Sequence, residues 1–90
     1  MVTYYLIKTI ENSAEYEYYP EDDKTKQPGI IVVDKTNKKI FLKSVAERDY
    51  ETFAEEFNAR WWVYYEHAER HIIKDYNNGL IKETGLAMWY

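Results

Sequence analysis

This chain contains no cysteine, which removes a disulfide framework, a thiolate metal site and a cysteine nucleophile at once. It has only three glycines, Gly29, Gly79 and Gly85, scattered too widely to build the clustered loop that cradles a phosphate. Its two serines are spoken for by local structure: Ser13 lies in a turn and Ser44 stands where a helix begins. Neither serine is therefore placed to start a nucleophilic triad. No stretch approaches the roughly 18 apolar residues of a membrane-spanning helix. The opening Met1-Val2-Thr3-Tyr4-Tyr5 carries no basic region ahead of an apolar run, so no signal peptide is read and the expected location is cytoplasmic.

Aromatic side chains are abundant instead. Ten tyrosines, three tryptophans and three phenylalanines in 90 residues supply large buried areas, which is how a small chain without disulfides forms a core. At this length one domain spanning 1–90 is expected, since surface-to-volume scaling leaves no second core.

The net charge is −4, and its position is informative. Bases and acids balance before residue 44 and after residue 56. The whole excess falls on Glu47, Asp49, Glu51, Glu55 and Glu56, opposed by Arg48 alone. Carboxylates in the first turn of a helix are favoured by the helix dipole, by about 0.3–1 kcal/mol each, but Glu55 and Glu56 lie beyond a first turn. The block therefore has two readings, compensation of the helix dipole and an acidic surface for a basic protein partner, and the functional expectation below rests on the second.

Residues 2–10 are rich in tyrosine and β-branched side chains with apolar residues on both alternating sets, which predicts a central strand. Residues 14–19 alternate glutamate with tyrosine up to Pro20, a strand with its acids facing water. After a polar loop ending in Pro28-Gly29, residues 30–34 and 39–43 flank a short connection and predict a hairpin, with Asn37 as the residue to take a positive φ. Lysines 35, 38, 39 and 43 make that hairpin basic. They read as protection of a sheet edge, and direct nucleic-acid binding is not expected from so few bases on an acidic chain.

From Ala46 through Tyr50, Phe53, Phe57, Trp61 and Tyr64 to Ala68 and Ile72, apolar residues keep steps of three and four, the phase of one helix over about 45–77. Ser44 and Glu47 suggest a capping box at its start, and Asn77-Asn78-Gly79-Leu80 a left-handed stop at its end. Thirty-three helical residues would run about 50 Å, too long for a compact chain of this size. Either the helix bends or breaks near Asn58, or its far half projects and finds a partner. Trp62, Tyr65, Ile73 and Tyr76 lie off the main stripe and form the expected interface of a homodimer, with residues 80–90 as a short C-terminal strand or docked tail.

His67 and His71 stand one helical turn apart, the spacing of two zinc ligands in metallopeptidases, but Ala68 occupies the place of the glutamate that serves as general base there. No metal or other cofactor is expected. The resulting expectation is an α+β domain, three to four antiparallel strands on a long helix. It would act as a non-enzymatic protein-binding module, of the kind found among small acidic phage-encoded inhibitors and regulators of nucleic-acid-handling proteins. A metal-dependent hydrolase using His67 and His71, and a purely structural homo-oligomer, are the alternatives.

Overall fold

The alternation of ring and glutamate in the second segment forces one face of a sheet to be apolar, and the fold is built on that face. A computed structural model describes residues 1–56 and 59–89, with side chains described outside 54–60. Strands β1 (Val2–Ile10), β2 (Ser13–Pro20), β3 (Gly29–Asp34) and β4 (Lys39–Ser44) form an antiparallel meander. Near the C-terminus, β7 (Thr84–Ala87) adds beside β1, giving a five-stranded sheet in the order β4-β3-β2-β1-β7. The chain is thus α+β, with one strand more than the three or four read as the body of the sheet; the extra strand is the C-terminal segment.

Period-two alternation decides the faces. Tyr4, Ala14, Tyr16, Tyr18, Ile31 and Val33 are buried on one side, while Glu15, Glu17 and Tyr19 stand on the other. Buried Tyr4 and Tyr16 meet edge to face with ring centroids 5.7 Å apart. The polar segment between β2 and β3 is held at several points. Asp22 accepts hydrogen bonds from the hydroxyls of Thr3 and Tyr5, and Lys26 pairs with Glu51.

The single helix expected over 45–77 is not formed. It is replaced by a short helix α1 (Glu47–Glu51), a two-stranded hairpin of β5 (Ala54–Glu56) and β6 (Ala59–Trp61), and a second helix α2 (Val63–Asn77). Asn58, where a bend was expected, lies outside the described residues. A helix of about 50 Å cannot fit a molecule whose longest extent is 35 Å. The rings that kept the helical phase are equally strong strand formers, and Trp61 takes the strand option. The capping box is absent too. The residue preceding α1 is Ala46, with no side-chain cap, and Glu47 Oε1 instead accepts the Gln27 N–H at 3.1 Å.

Helix α2 lies against the inner face and buries Tyr64, Tyr65, Ala68 and Ile72, one stripe at helical spacing. It ends as its sequence suggests. The Leu80 N–H reaches the Asp75 carbonyl at 2.9 Å and the Gly79 N–H reaches that of Tyr76 at 2.9 Å, with Gly79 at φ 78°. Leu80 itself stays half exposed. In the β3–β4 turn the positive φ falls on Lys38, at 53°, rather than on Asn37.

Candidate functional site

Asp49, expected on the acidic surface, lies in the interior instead. It is 0% exposed. Its Oδ1 accepts the Tyr64 N–H at 2.9 Å, and its Oδ2 accepts the Tyr65 N–H at 3.1 Å and the Tyr18 hydroxyl at 2.7 Å. Trp62, which precedes α2, offers no side-chain cap. A carboxylate from α1 thus satisfies the free amides of α2 from 15 residues away and sits at the positive end of that helix's dipole. Tyr18 completes the arrangement by accepting the Ala46 N–H at 3.0 Å. Burial drives the Asp49 carboxyl above its ordinary value, against the pull of its three donors.

This buried joint sets the position of the exposed surface around it. Because Asp49 draws α1 onto the start of α2, Tyr50 and Phe53 are brought to Trp62. The Tyr50 ring meets Trp62 edge-on at 5.1 Å, and the Phe53 ring lies tilted over Trp62 at 4.3 Å. Tyr50 remains 64% exposed and Phe53 38%. Glu47 and Glu51 are exposed on the same short helix, Glu51 beside Lys26. The side chains of Glu55 and Glu56 lie outside the described residues. Of the acidic block, then, two described carboxylates are exposed on α1, Glu47 holding the Gln27 N–H and Glu51 paired with Lys26, and one is structural.

The interface expected from Trp62, Tyr65, Ile73 and Tyr76 is divided by the fold. Tyr65 is 8% exposed and turns its ring to buried Tyr18 at 6.3 Å, so it belongs to the core. Burial pushes its phenol well above the ordinary range. Ile73 and Tyr76 are partly buried and face the β3–β4 hairpin rather than Trp62. Trp62 alone joins the exposed aromatic surface, and Tyr50 and Phe53, its neighbours there, were not singled out from sequence. Their only signal was position. Both lie on the apolar stripe of a helix that does not form.

Next to this surface, Thr52 and Val63 open into a cleft of about 440 Å³ whose other walls include Glu21, Tyr64, Met88 and Trp89. The Tyr64 hydroxyl donates to Glu21 Oε2 at 3.0 Å, and the amino group of Met1 lies 2.7 Å from the same oxygen. These bonds hold the Glu21 carboxyl below its ordinary value, the amino group first among them. Trp89 also covers His67, their rings stacked 3.8 Å apart and 5° from parallel. Burial, with Arg70 and His71 nearby, holds the His67 imidazole below its ordinary value. His71 is exposed. Among the described residues no group of three or more His, Cys, Asp or Glu side chains converges to hold a metal.

The rings of Tyr16 and Tyr18 are buried under α2, while Tyr19 stands on the opposite face of the sheet against Tyr5, with Lys24 over both rings. No described helix is long and apolar enough to cross a membrane. The fold is a five-stranded antiparallel sheet with one face under α2, and the candidate site is an aromatic surface made by Tyr50, Phe53 and Trp62, with exposed Glu47 and Glu51 on the same helix as Tyr50. No protein-family model, no curated protein and no solved structure matches this chain.

Proposed function

We propose that this chain is a non-enzymatic protein-binding module whose contact surface is Tyr50, Phe53 and Trp62, bordered by Glu47 and Glu51. The observation that carries the reading is Tyr50, a 64% exposed ring set against a second and third ring on a short helix that also carries the acids. Aromatic side chains at the centre and charge at the rim are the composition of protein interfaces, and Trp and Tyr dominate their energies. The acid border selects a partner with a basic contact surface, such as a protein that handles nucleic acid, and the module would act on it as an inhibitor or regulator.

Affinity capture with the intact chain is the test, run in parallel with Tyr50→Ala. A partner with a basic surface that is held by the wild type and released by the variant supports the reading; equal retention by both sinks it. The same rings can meet themselves across a two-fold axis, since an isologous contact needs only one self-complementary patch. Sedimentation equilibrium separates the two. A wild type that dimerises and a Tyr50→Ala variant that does not would assign the surface to a second copy.

A further inference from the structure

On different elements from the aromatic surface, the β3–β4 hairpin and the last turns of α2 enclose a groove of about 180 Å³. Val33 and Ile72, 3% and 2% exposed, form its floor. Ile40, Ile73 and Tyr76, all partly buried, make the walls. Lys38 and Lys39 stand exposed at the edge, and among the described residues neither lies in an ion pair. An apolar cavity of about 150 Å³ accepts a benzene-sized guest, so this one has room for about six carbons. The lysines decide what the far end of such a guest should carry.

The geometry points to a small monocarboxylate with an aliphatic or monocyclic body as the ligand of this groove. The body replaces water against Val33, Ile72 and Ile73, and the carboxylate remains at the mouth between Lys38 and Lys39. Asp34, the register partner of Lys39, keeps its charge under the hydrogen bonds of the Thr36 and Asn37 N–H groups and the Asn37 amide and offsets part of this attraction at Lys39, which leaves Lys38 as the stronger pole. An ammonium at the same place would meet like charge. A neutral guest would gain the apolar contact alone.

Butanoate, hexanoate and octanoate, with hexan-1-ol and hexylammonium as charge controls, are the probes, titrated into the whole chain and followed by backbone amide NMR. Hexanoate should shift residues of the groove saturably, with a Kd on the order of 1 mM, as befits eight heavy atoms. Affinity should rise by about fourfold per methylene from butanoate to hexanoate and level off at octanoate, when the groove is full. Hexanoate should exceed hexan-1-ol by about threefold to tenfold at low salt, and Lys38→Glu combined with Lys39→Glu should erase that preference while leaving the alcohol bound. Ile73→Trp should block all the probes. The lysine pair tests the idea even if that variant fails to fold. Absence of saturable shifts at the groove, hexylammonium binding as tightly as hexanoate, or groove resonances that move on dilution without ligand, the mark of a second copy, would each overturn the assignment.

Discussion

Asp49 and Tyr64 are joined by a 2.9 Å hydrogen bond from the Tyr64 amide to Asp49 Oδ1, and through it the first helix caps the second. Removing the carboxylate strands two helix amides and the Tyr18 hydroxyl in a buried place. Asp49→Ala should therefore cost about 2–4 kcal/mol, the sum of a lost cap and unsatisfied buried donors. Asp49→Asn, which keeps the shape and one acceptor oxygen, should cost less. Urea denaturation of the three proteins measures it. A loss under about 0.5 kcal/mol for the alanine variant would mean that water replaces the carboxylate and that the cap is incidental.

Gly29 lies opposite Tyr18 in the β2–β3 ladder, and Gly85 lies opposite Tyr4 in the β1–β7 ladder. Both glycines leave space that the tyrosine ring fills; a methyl group at either would overlap the ring. The Tyr18 ring cannot swing aside, because its hydroxyl is bonded to both Ala46 and Asp49. Gly29→Ala should destabilise by about 1–3 kcal/mol or more through overpacking, with the near-ultraviolet circular dichroism of the tyrosines altered. An alanine variant as stable as the wild type would show that the strand can shift to make room.

The sheet was legible and the helix was not, for related reasons. In β2 and β4, strand alternation has one meaning, because Glu15 and Glu17, and Lys39 and Lys43, take alternate positions and fix the register, while β1 and β3 are apolar on both sets as central strands are. The end of α2 was equally readable, since Gly79 has a conformation few other residues adopt easily. Between residues 46 and 72 every third or fourth residue is apolar, yet most are tyrosine, tryptophan or phenylalanine, which serve strand and helix alike. The decisive contact was Asp49 to Tyr64 and Tyr65, a tertiary bond that no local pattern displays. Asp49 looked like one more acid in a block of acids. Misreading it displaced the site as well, since Tyr50 and Phe53 count as surface only once α1 is separated from α2.

Asp34 gives the clearest dependence on pH. Its carboxylate accepts the Asn37 side-chain amide at 2.8 Å and the Asn37 and Thr36 N–H groups at 3.2 and 3.1 Å, and these bonds hold it below its ordinary value of 3.8. A depressed acid stabilises the fold above the unfolded-state pKa and loses that contribution as pH falls through the folded value. The stability gap between wild type and Asp34→Ala should thus be full at neutral pH and shrink below about pH 4. Denaturation midpoints at neutral and acid pH measure the gap. A gap unchanged with pH would mean that the charge of Asp34 does not matter to the turn.

Glu51 offers the cleanest test of the acid border, because its only described partner is Lys26 at the surface. Exposed pairs of this sort add little to stability, so Glu51→Lys should leave the melting temperature within a few degrees of the wild type. Its effect on association with a basic partner should be larger and of a definite kind. Rim charges steer encounter, so the association rate should drop by about tenfold at low salt, while the dissociation rate changes little. Added salt screens the same attraction, and the two proteins should converge as ionic strength rises. Tyr50→Ala should do the reverse, raising the dissociation rate at every salt concentration, because it removes contact area rather than charge. Surface plasmon resonance over a salt series separates the two. If Glu51→Lys binds as fast as the wild type at low salt, the carboxylates on α1 serve the helix and the rings alone make the interface.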